Sequence, residues 1–410
     1  MKKIYFDHAA TTMLDSKVLD KMMPYLKNQY GNASSLYNLG QESREVIEKA
    51  RKELADILKC SPNEIIFTSC GSESDSLAIV GYALANKSKG NHIITSKFEH
   101  PAILEACKFL EKQGFSITYL PITKQGVVNI EKLKESINEK TILVSIMHAN
   151  NEIGTIQPIK EIYNICKNNN NEKNSNIAFH TDAVQTFGKI DIDSSMADMI
   201  SISAHKFYGP KGIGLLYKKS GIKLFPIIHG HQEKGLRGGT YDTASIIGMA
   251  KAAKIAENTK EETNKKLRNL TEKLTEGVLK IENTWINGIG NNEGENKLPG
   301  LINFGILLIE GESILMHLDN KGIMCSTGSA CSSDLLQPSH TLLALGLKPE
   351  EAHGSLRISL GKENTEEDIN YFLSVLPEII EKLRKMSPFK NKAQLKSFKG
   401  NKCMVKKERI

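Results

Sequence analysis

Between residues 65 and 217 the chain alternates short β-rich apolar runs with helical patterns, a rhythm few architectures satisfy. The runs are Ile65-Ile66-Phe67-Thr68, Ile93-Ile94-Thr95, Ser116–Tyr119, Ile142–Ile146, Ile177-Ala178-Phe179, Met199–Ser203 and Ile213–Tyr217. Helical patterns fall at 73–87, 101–113, 130–138 and 158–169, preceded by two more at 16–28 and 41–58. Repeated strand–helix–strand units predict an α/β protein with a mainly parallel, seven-stranded sheet covered by helices on both faces. The polar stretch Lys167–Asn176 is expected to be a surface loop.

After Thr240 the texture changes. A long helical stretch over 243–282 leads to strand-like Leu301–Leu308, a helix over 311–321 and a last helix over 365–385. The expectation is a large domain over 15–245 and a smaller α+β domain made of 1–14 and 246–385. A basic tail over 386–410 follows and is expected to be flexible. From Lys382 onward eleven Lys/Arg face a single Glu, which leaves residues 1–381 with about −3 of the formal +7. That tail reads as a solvated terminus, or as a docking arm for an acidic protein or RNA.

No run approaches the roughly 18–20 apolar residues that span a bilayer. The segment Met1-Lys2-Lys3-Ile4-Tyr5-Phe6-Asp7-His8 lacks a signal-peptide core. Seven cysteines form no CxxC pair, which favours free thiols in a reducing compartment. A cytoplasmic location is expected, with no membrane partner and no direct nucleic-acid contact.

In sheets of this kind ligands gather at the carboxyl ends of the strands, and polar islands fall at those ends. Cys70-Gly71-Ser72-Glu73 opens a helix after the first run, a seat for phosphate or an ordinary serine cap. Neither GxxxxGK[ST] nor GxGxxG stands between strand and helix, so nucleotide-binding loops are disfavoured. His100, before Pro101, could stack on an aromatic cofactor or simply enter a helix. His148-Ala149-Asn150-Asn151-Glu152 offers side-chain amides. In His180-Thr181-Asp182-Ala183-Val184-Gln185, Asp182 could pair with a protonated ring nitrogen and Gln185 with a ring hydroxyl, while His180 reads as a satisfied buried histidine. Ser203-Ala204-His205-Lys206 follows a strand and precedes a Gly/Pro turn, a setting in which a lysine amine is partly desolvated for Schiff-base chemistry. A lysine, an aspartate, a phosphate seat and a stacking histidine together suggest pyridoxal phosphate.

With that set assembled, the chain resembles the cysteine desulfurases of the NifS/IscS type, in the class V aminotransferase group. The resemblance runs from about Tyr5 to about residue 380. It is carried by Tyr5–Thr12, Gly31-Asn32-Ala33-Ser34-Ser35, Asn150–Gly154, Ser203–Lys206, Arg237-Gly238-Gly239-Thr240, Gly328-Ser329-Ala330-Cys331-Ser332-Ser333 and Gly354–Gly361. It implies the pyridoxal-phosphate fold of type I, with pyridoxal 5'-phosphate as cofactor and L-cysteine as substrate. Catalysis would rest on Lys206, Cys331 and His100. Lys206 would bear the Schiff base and move the Cα proton, Asp182 would face the ring nitrogen, Gln185 the ring hydroxyl, and His100 the ring. Gly71, Ser72, Ser203 and His205 would hold the phosphate, together with Thr240 from the second subunit of a homodimer. Asn151 and Arg357 would hold the substrate carboxylate.

The resemblance further implies conversion of L-cysteine to L-alanine, with sulfur left on Cys331 as a persulfide for an iron–sulfur scaffold or another acceptor. No permanent metal is implied; Cys331 could be a transient iron–sulfur ligand with a scaffold partner. Selenocysteine lyases and other class V enzymes remain alternatives, as does a sulfur-relay or scaffold-binding protein with vestigial catalysis. Cys325 reads as a core thiol at a strand end or as a second reactive thiol. The chain departs from the commonest family pattern at Cys70-Gly71-Ser72, at Ala33, at His231 and at Tyr241-Asp242.

Overall fold

The computed structural model describes residues 3–173, 177–290, 296–327 and 338–388. Cys331, Cys403 and the tail beyond Pro388 lie outside the described residues. In chain order, β1 (Ile4–Tyr5), α1 (Ser16–Lys27), α2 (Asn38–Leu58), β2 (Ile65–Thr68), α3 (Gly71–Ser76) and α4 (Tyr82–Asn86) come first. Next are β3 (His92–Ser96), α5 (Pro101–Lys112), β4 (Ser116–Leu120), α6 (Ile130–Ser136), β5 (Thr141–Ser145), α7 (Ile159–Lys173), β6 (Ala178–Asp182), β7 (Met199–Ser203) and β8 (Gly214–Lys218). The remainder comprises α8 (Thr243–Leu279), β9 (Thr284–Ile286), β10 (Leu301–Ile306), α9 (Gly311–Asp319), β11 (Ile323–Met324), α10 (His340–Ala344), α11 (Pro349–His353), β12 (Ser355–Ser359) and α12 (Glu366–Met386).

The seven-stranded sheet has the order β2-β8-β7-β6-β5-β3-β4, and all its pairings are parallel except those of β8, which runs antiparallel to both β2 and β7. Its apolar runs are explained by two-sided burial. Phe67, Ile94, Val144, Phe179, Ile200 and Leu215 enter one core, while their chain neighbours Ile66, Ile93, Leu143, Ala178, Met199 and Leu216 enter another. Successive residues of a strand point to opposite faces, so a strand between two helical layers must be apolar at every position. Each fully buried Ile, Leu or Phe contributes about 1.5–3 kcal/mol.

A third core gathers Ile302, Phe304 and Ile306 of β10, Leu356 and Ile358 of β12, and Ile369, Phe372 and Leu376 of α12. Helix α8 serves two cores: Ala244–Ala253 lie in the first, and Leu267, Leu270, Leu274 and Val278 in the third. At 1.5 Å per residue its 37 residues span about 55 Å. The N-terminal segment links the same regions, since β1 pairs with β11, Asp7 bridges Ser359, and Thr12 reaches His205.

Two local expectations are corrected, and four strands were not foreseen. The segment after Lys167 is not a loop from its start, because α7 continues through Lys173; its buried Ile162 and Cys166 anchor the helix, and no Gly or Pro follows to stop it. The helix expected over 73–87 contains a π turn at Leu77–Gly81 between α3 and α4. Strands β1, β9, β11 and β12 carry too few apolar residues in sequence to stand out, and pairing with distant partners defines them. Among the described residues no helix is long and apolar enough to cross a membrane.

Candidate active site

The site grows from the carboxyl ends of β6 and β7. The register pairs Asp182 with Ser201, so the end of β6 lies beside the strand that leads into Lys206. A single 3-10 turn, Ala204–Lys206, follows β7, and the chain then passes through Tyr208 at φ 66, a left-handed conformation that is uncommon for a tyrosine. Thr12 stabilises it: Tyr208 N–H donates to Thr12 Oγ1 at 2.8 Å, and that hydroxyl donates to the His205 carbonyl at 2.9 Å. Lys206 Nζ donates to the carbonyls of Ala9 and Ala10 at 2.6 and 2.7 Å. Gln185 Nε2 donates to the same Ala9 carbonyl at 2.9 Å, while its Oε1 is buried without a hydrogen-bond partner.

Asp182 Oδ1 accepts the Val184 N–H at 2.8 Å. Burial pushes its carboxyl upward, opposed by that N–H and by the nearby Lys206. Gly71 opens α3 against this loop, and a Cβ there would meet Val184 Cγ2 at 2.7 Å and Ser203 Cβ at 3.4 Å. Only a residue without a side chain lets the start of α3 approach the ends of β6 and β7 so closely. Ser72 is exposed at this helix start, Ser203 is buried, and His205 Nδ1 pairs with Thr11 Oγ1 at 3.0 Å. The loop carrying Thr240 is tied to α3 by Arg237, whose Nε donates to Glu73 Oε1 at 2.8 Å; Thr240 itself is exposed.

His100 caps α5, with Nδ1 accepting the Ala102 N–H at 3.1 Å. The neutral ring therefore carries its proton on Nε2. Burial, and then the charge of Lys206, lowers His100 to about 4, so the ring is neutral at physiological pH. Beneath it the Glu99 carboxyl accepts from Ser96 Oγ at 2.5 Å and from Met147 N–H, and burial pushes Glu99 up to about 8.

Arg357 arrives from β12. Its neighbours Leu356 and Ile358 enter the third core, so the strand turns Arg357 to the other face. There its guanidinium donates to Asp7 Oδ1 at 2.8 Å and to the Asn151 carbonyl at 3.1 Å, while Nε is buried without a partner. Asn150 has a structural role, accepting the N–H groups of Glu152 and Ile153 on its Oδ1. His180 is buried with its nitrogens 2.9 Å from Ser145 and Ser201 hydroxyls.

The described residues on either side of the Cys331 segment are fixed at this site. Ser326 exchanges backbone hydrogen bonds with Arg357 at 3.2 and 2.7 Å. Ser339 Oγ donates to Glu152 at 2.5 Å, and His340 Nε2 lies 2.9 Å from the Glu99 carbonyl. Cys325 packs against the third core, and burial raises its thiol, which makes it a poor nucleophile.

Asp7, Thr12, Glu73 and Glu99 shape the site although sequence reasoning assigned them no role. Asp7 and Thr12 stood within a recognised motif, but their partners are 350 and 193 residues away. Among the described residues no group of three or more His, Cys, Asp or Glu could hold a metal ion.

This arrangement, a sheet-end lysine facing a buried aspartate beside a glycine-opened helix, defines a cofactor-dependent enzyme of the α/β class. The description "Aminotransferase class-V" matches residues 4–372. The chain is 51% identical over 391 residues to a cysteine desulfurase IscS from Clostridium botulinum (strain Kyoto / Type A2), covering 94% of this chain and 96% of that protein. It is 50% identical to a cysteine desulfurase IscS from Dictyoglomus turgidum, covering 95% and 97%. A NifS-like protein of known structure superposes with a TM-score of 0.86 at 39% identity, covering 93% of this chain and all of that one. The chain therefore belongs to the class-V aminotransferase family and, within it, to the pyridoxal-phosphate-dependent cysteine desulfurases.

The residues present fit that cofactor. Asp182 offers an anion to a ring nitrogen, the unpartnered Gln185 Oε1 awaits a ring hydroxyl, and Gly71 leaves the start of α3 open toward Ser203.

Proposed function

We propose that the protein takes the sulfur of L-cysteine onto Cys331 as a persulfide, releases L-alanine, and hands the sulfur to an iron–sulfur scaffold. One observation carries this reading. The residues flanking the Cys331 segment are hydrogen-bonded to Arg357 on one side and to Glu99 and Glu152 on the other, and Arg357 in turn holds Asp7 of the segment whose Ala9 carbonyl accepts from Lys206.

Pyridoxal phosphate, when bound, supplies the electron sink that stabilises negative charge at the substrate Cα. The chain's own groups do the rest. Asp182 holds a negative charge opposite the ring nitrogen, and Gln185 accepts from the ring hydroxyl. Gly71, Ser72, Ser203 and His205 hold the phosphate, with Thr240 supplied by a second copy of the chain. Arg357 and Asn151 hold the substrate carboxylate, the guanidinium through charge-assisted hydrogen bonds. Lys206 carries the cofactor and moves the Cα proton; His100, neutral and protonated on Nε2, stacks on the ring and passes a proton to or from the thiols. The Cys331 thiolate attacks the substrate sulfur, forming an S–S bond as the C–S bond breaks. The released electron pair stays with the substrate carbon, which is protonated to give alanine.

The domain reading has residues 15–245 as the cofactor-binding lobe, and 1–14 with 246–385 as the smaller lobe bearing Cys331. A homodimer in the cytoplasm completes the proposal. The homodimer is supported by the exposed large apolar side chains of Tyr30, Leu36, Tyr37, Phe225 and Ile228.

The test incubates purified protein with labelled L-cysteine and follows alanine and protein-bound sulfur. Equimolar alanine and persulfide are expected in the wild type, persulfide is lost in Cys331→Ala, and turnover falls about a thousandfold or more in Lys206→Ala. Full persulfide on Cys331→Ala, or sulfur passed only to a tRNA-modifying partner, would overturn the assignment of nucleophile or of acceptor respectively.

A further inference from the structure

Behind Asp182 lies a second carboxyl group that the proposed chemistry does not use. Asp75, in α3, is 1% exposed, and its Oδ1 has no hydrogen-bond partner. That oxygen lies 3.7 Å from His180 Nε2, and the same nitrogen lies 2.9 Å from the Ser201 hydroxyl. Ser201 is also the cross-strand neighbour of Asp182, and His180 stands two residues before Asp182 on the same face of β6, so both residues that adjoin Asp75 belong to the end of the sheet that bears Asp182.

Two carboxyl groups in a dry site cannot both ionise without compensation. Here compensation is unequal. The titratable groups facing Asp75 are Asp182, Glu99 and Cys70 from the strand ends and loops, together with His180 on β6. None supplies a positive charge: burial lowers His180 to about 3 and keeps the ring neutral. Asp182, by contrast, receives the Val184 N–H and feels Lys206. Burial, and then the charge of Asp182, drives Asp75 well above the usual carboxylate range.

We propose that Asp75 is a positioning residue that holds the single proton of the Asp75–Asp182 pair, so that Asp182 meets the ring nitrogen as the pair's only anion. The inference rests on the pyridoxal-phosphate reading of Asp182 and deepens it. A protonated Asp75 donates to Ser201 Oγ, whose hydroxyl then donates to His180 Nε2, and His180 Nδ1–H donates to Ser145 Oγ. The distances of 2.9 Å on both sides of the imidazole fit the Ser201–His180–Ser145 part of that chain. No proton is transferred in the resting arrangement; the network fixes where the negative charge sits, and α3 carries that control from the phosphate seat to the ring nitrogen.

The discriminating measurement is infrared difference spectroscopy in heavy water, on apoprotein and holoenzyme. A carboxylic-acid carbonyl stretch that shifts with isotope-labelled aspartate, and is thereby told apart from that of protonated Glu99, is expected at neutral pH in the wild type and is lost in Asp75→Asn. The same variant, isosteric with a permanently neutral acid, should keep turnover within about threefold. Its bound-cofactor absorbance should keep its pH midpoint within about half a unit.

An aspartate-labelled acid band that survives Asp75→Asn, or a midpoint moved by about a unit or more, would mean that Asp75 is the ionised partner or plays no such part. If Asp75→Asn does not fold, isotope-labelled aspartate in the wild type reads the same band, and its absence overturns the proposal. Because the band is read on apoprotein, its absence condemns the Asp75 assignment alone. Failure of the wild type to bind pyridoxal phosphate would instead condemn the underlying functional reading.

Discussion

Lys206 Nζ lies 2.6 Å from the carbonyl oxygen of Ala9, so the lysine at the end of β7 is held by a segment 197 residues earlier in the chain. The same segment bridges β12 through Asp7 and Ser359. Residues 7–12 thus join the strand that bears Arg357 to the turn that bears Lys206. The guanidinium proposed to hold the substrate carboxylate and the amine proposed to react are both tied to one short stretch of backbone.

Thr12→Val should loosen that clamp. It leaves the Tyr208 N–H without its acceptor and removes the donor to the His205 carbonyl. A buried donor left unsatisfied costs about 1–3 kcal/mol, and a lower denaturant midpoint with weaker retention of pyridoxal phosphate is expected. An unchanged midpoint and unchanged cofactor affinity would show that the clamp has no energetic role.

Arg357→Lys tests carboxylate recognition. Lysine keeps the charge but loses the planar fork that meets Asp7 and the Asn151 carbonyl simultaneously. KM for L-cysteine should rise about tenfold or more, with a smaller change in kcat. Asp7→Asn, which removes the anion orienting the guanidinium, should raise KM in the same direction by a smaller factor. Steady-state kinetics on both variants decides, and unaltered KM in Arg357→Lys rejects the assignment.

Glu99 predicts a pH dependence of stability. Burial raises this carboxyl to about 8 in the folded protein from an ordinary value near 4.5. The folded state therefore binds a proton that the unfolded chain has already lost, and the associated stability is present below 4.5 and lost as pH rises toward 8. Glu99→Gln, neutral at every pH, should remove a slope of up to about 1.4 kcal/mol per pH unit across that window. Chemical denaturation of both apoproteins at several pH values reads the difference; parallel curves would mean that Glu99 is ionised throughout.

Some of this was legible in the linear sequence. Runs such as Ile142–Ile146 announced strands because no residue in them could face water, and Ser203–Lys206 marked a strand end where an amine could be desolvated. Other features were hidden for definite reasons. β12 reads Ser-Leu-Arg-Ile-Ser, whose strict alternation is compatible with either a strand or a loop motif until β10 supplies its partner. The helix α7 outran its polar appearance because a helix needs only one buried stripe and no breaker.

The sequence by itself determined which groups are offered for the proposed chemistry and the order in which strands and helices present them, since side-chain type and local periodicity are written residue by residue. Only the tertiary structure decided which groups share a charge. Asp75 and Asp182 stand 107 positions apart in the numbering, and nothing local marks them as neighbours. Packing α3 across the ends of β6 and β7 buries both in a low-dielectric site, and it is the shared loss of solvent that makes them compete for one proton.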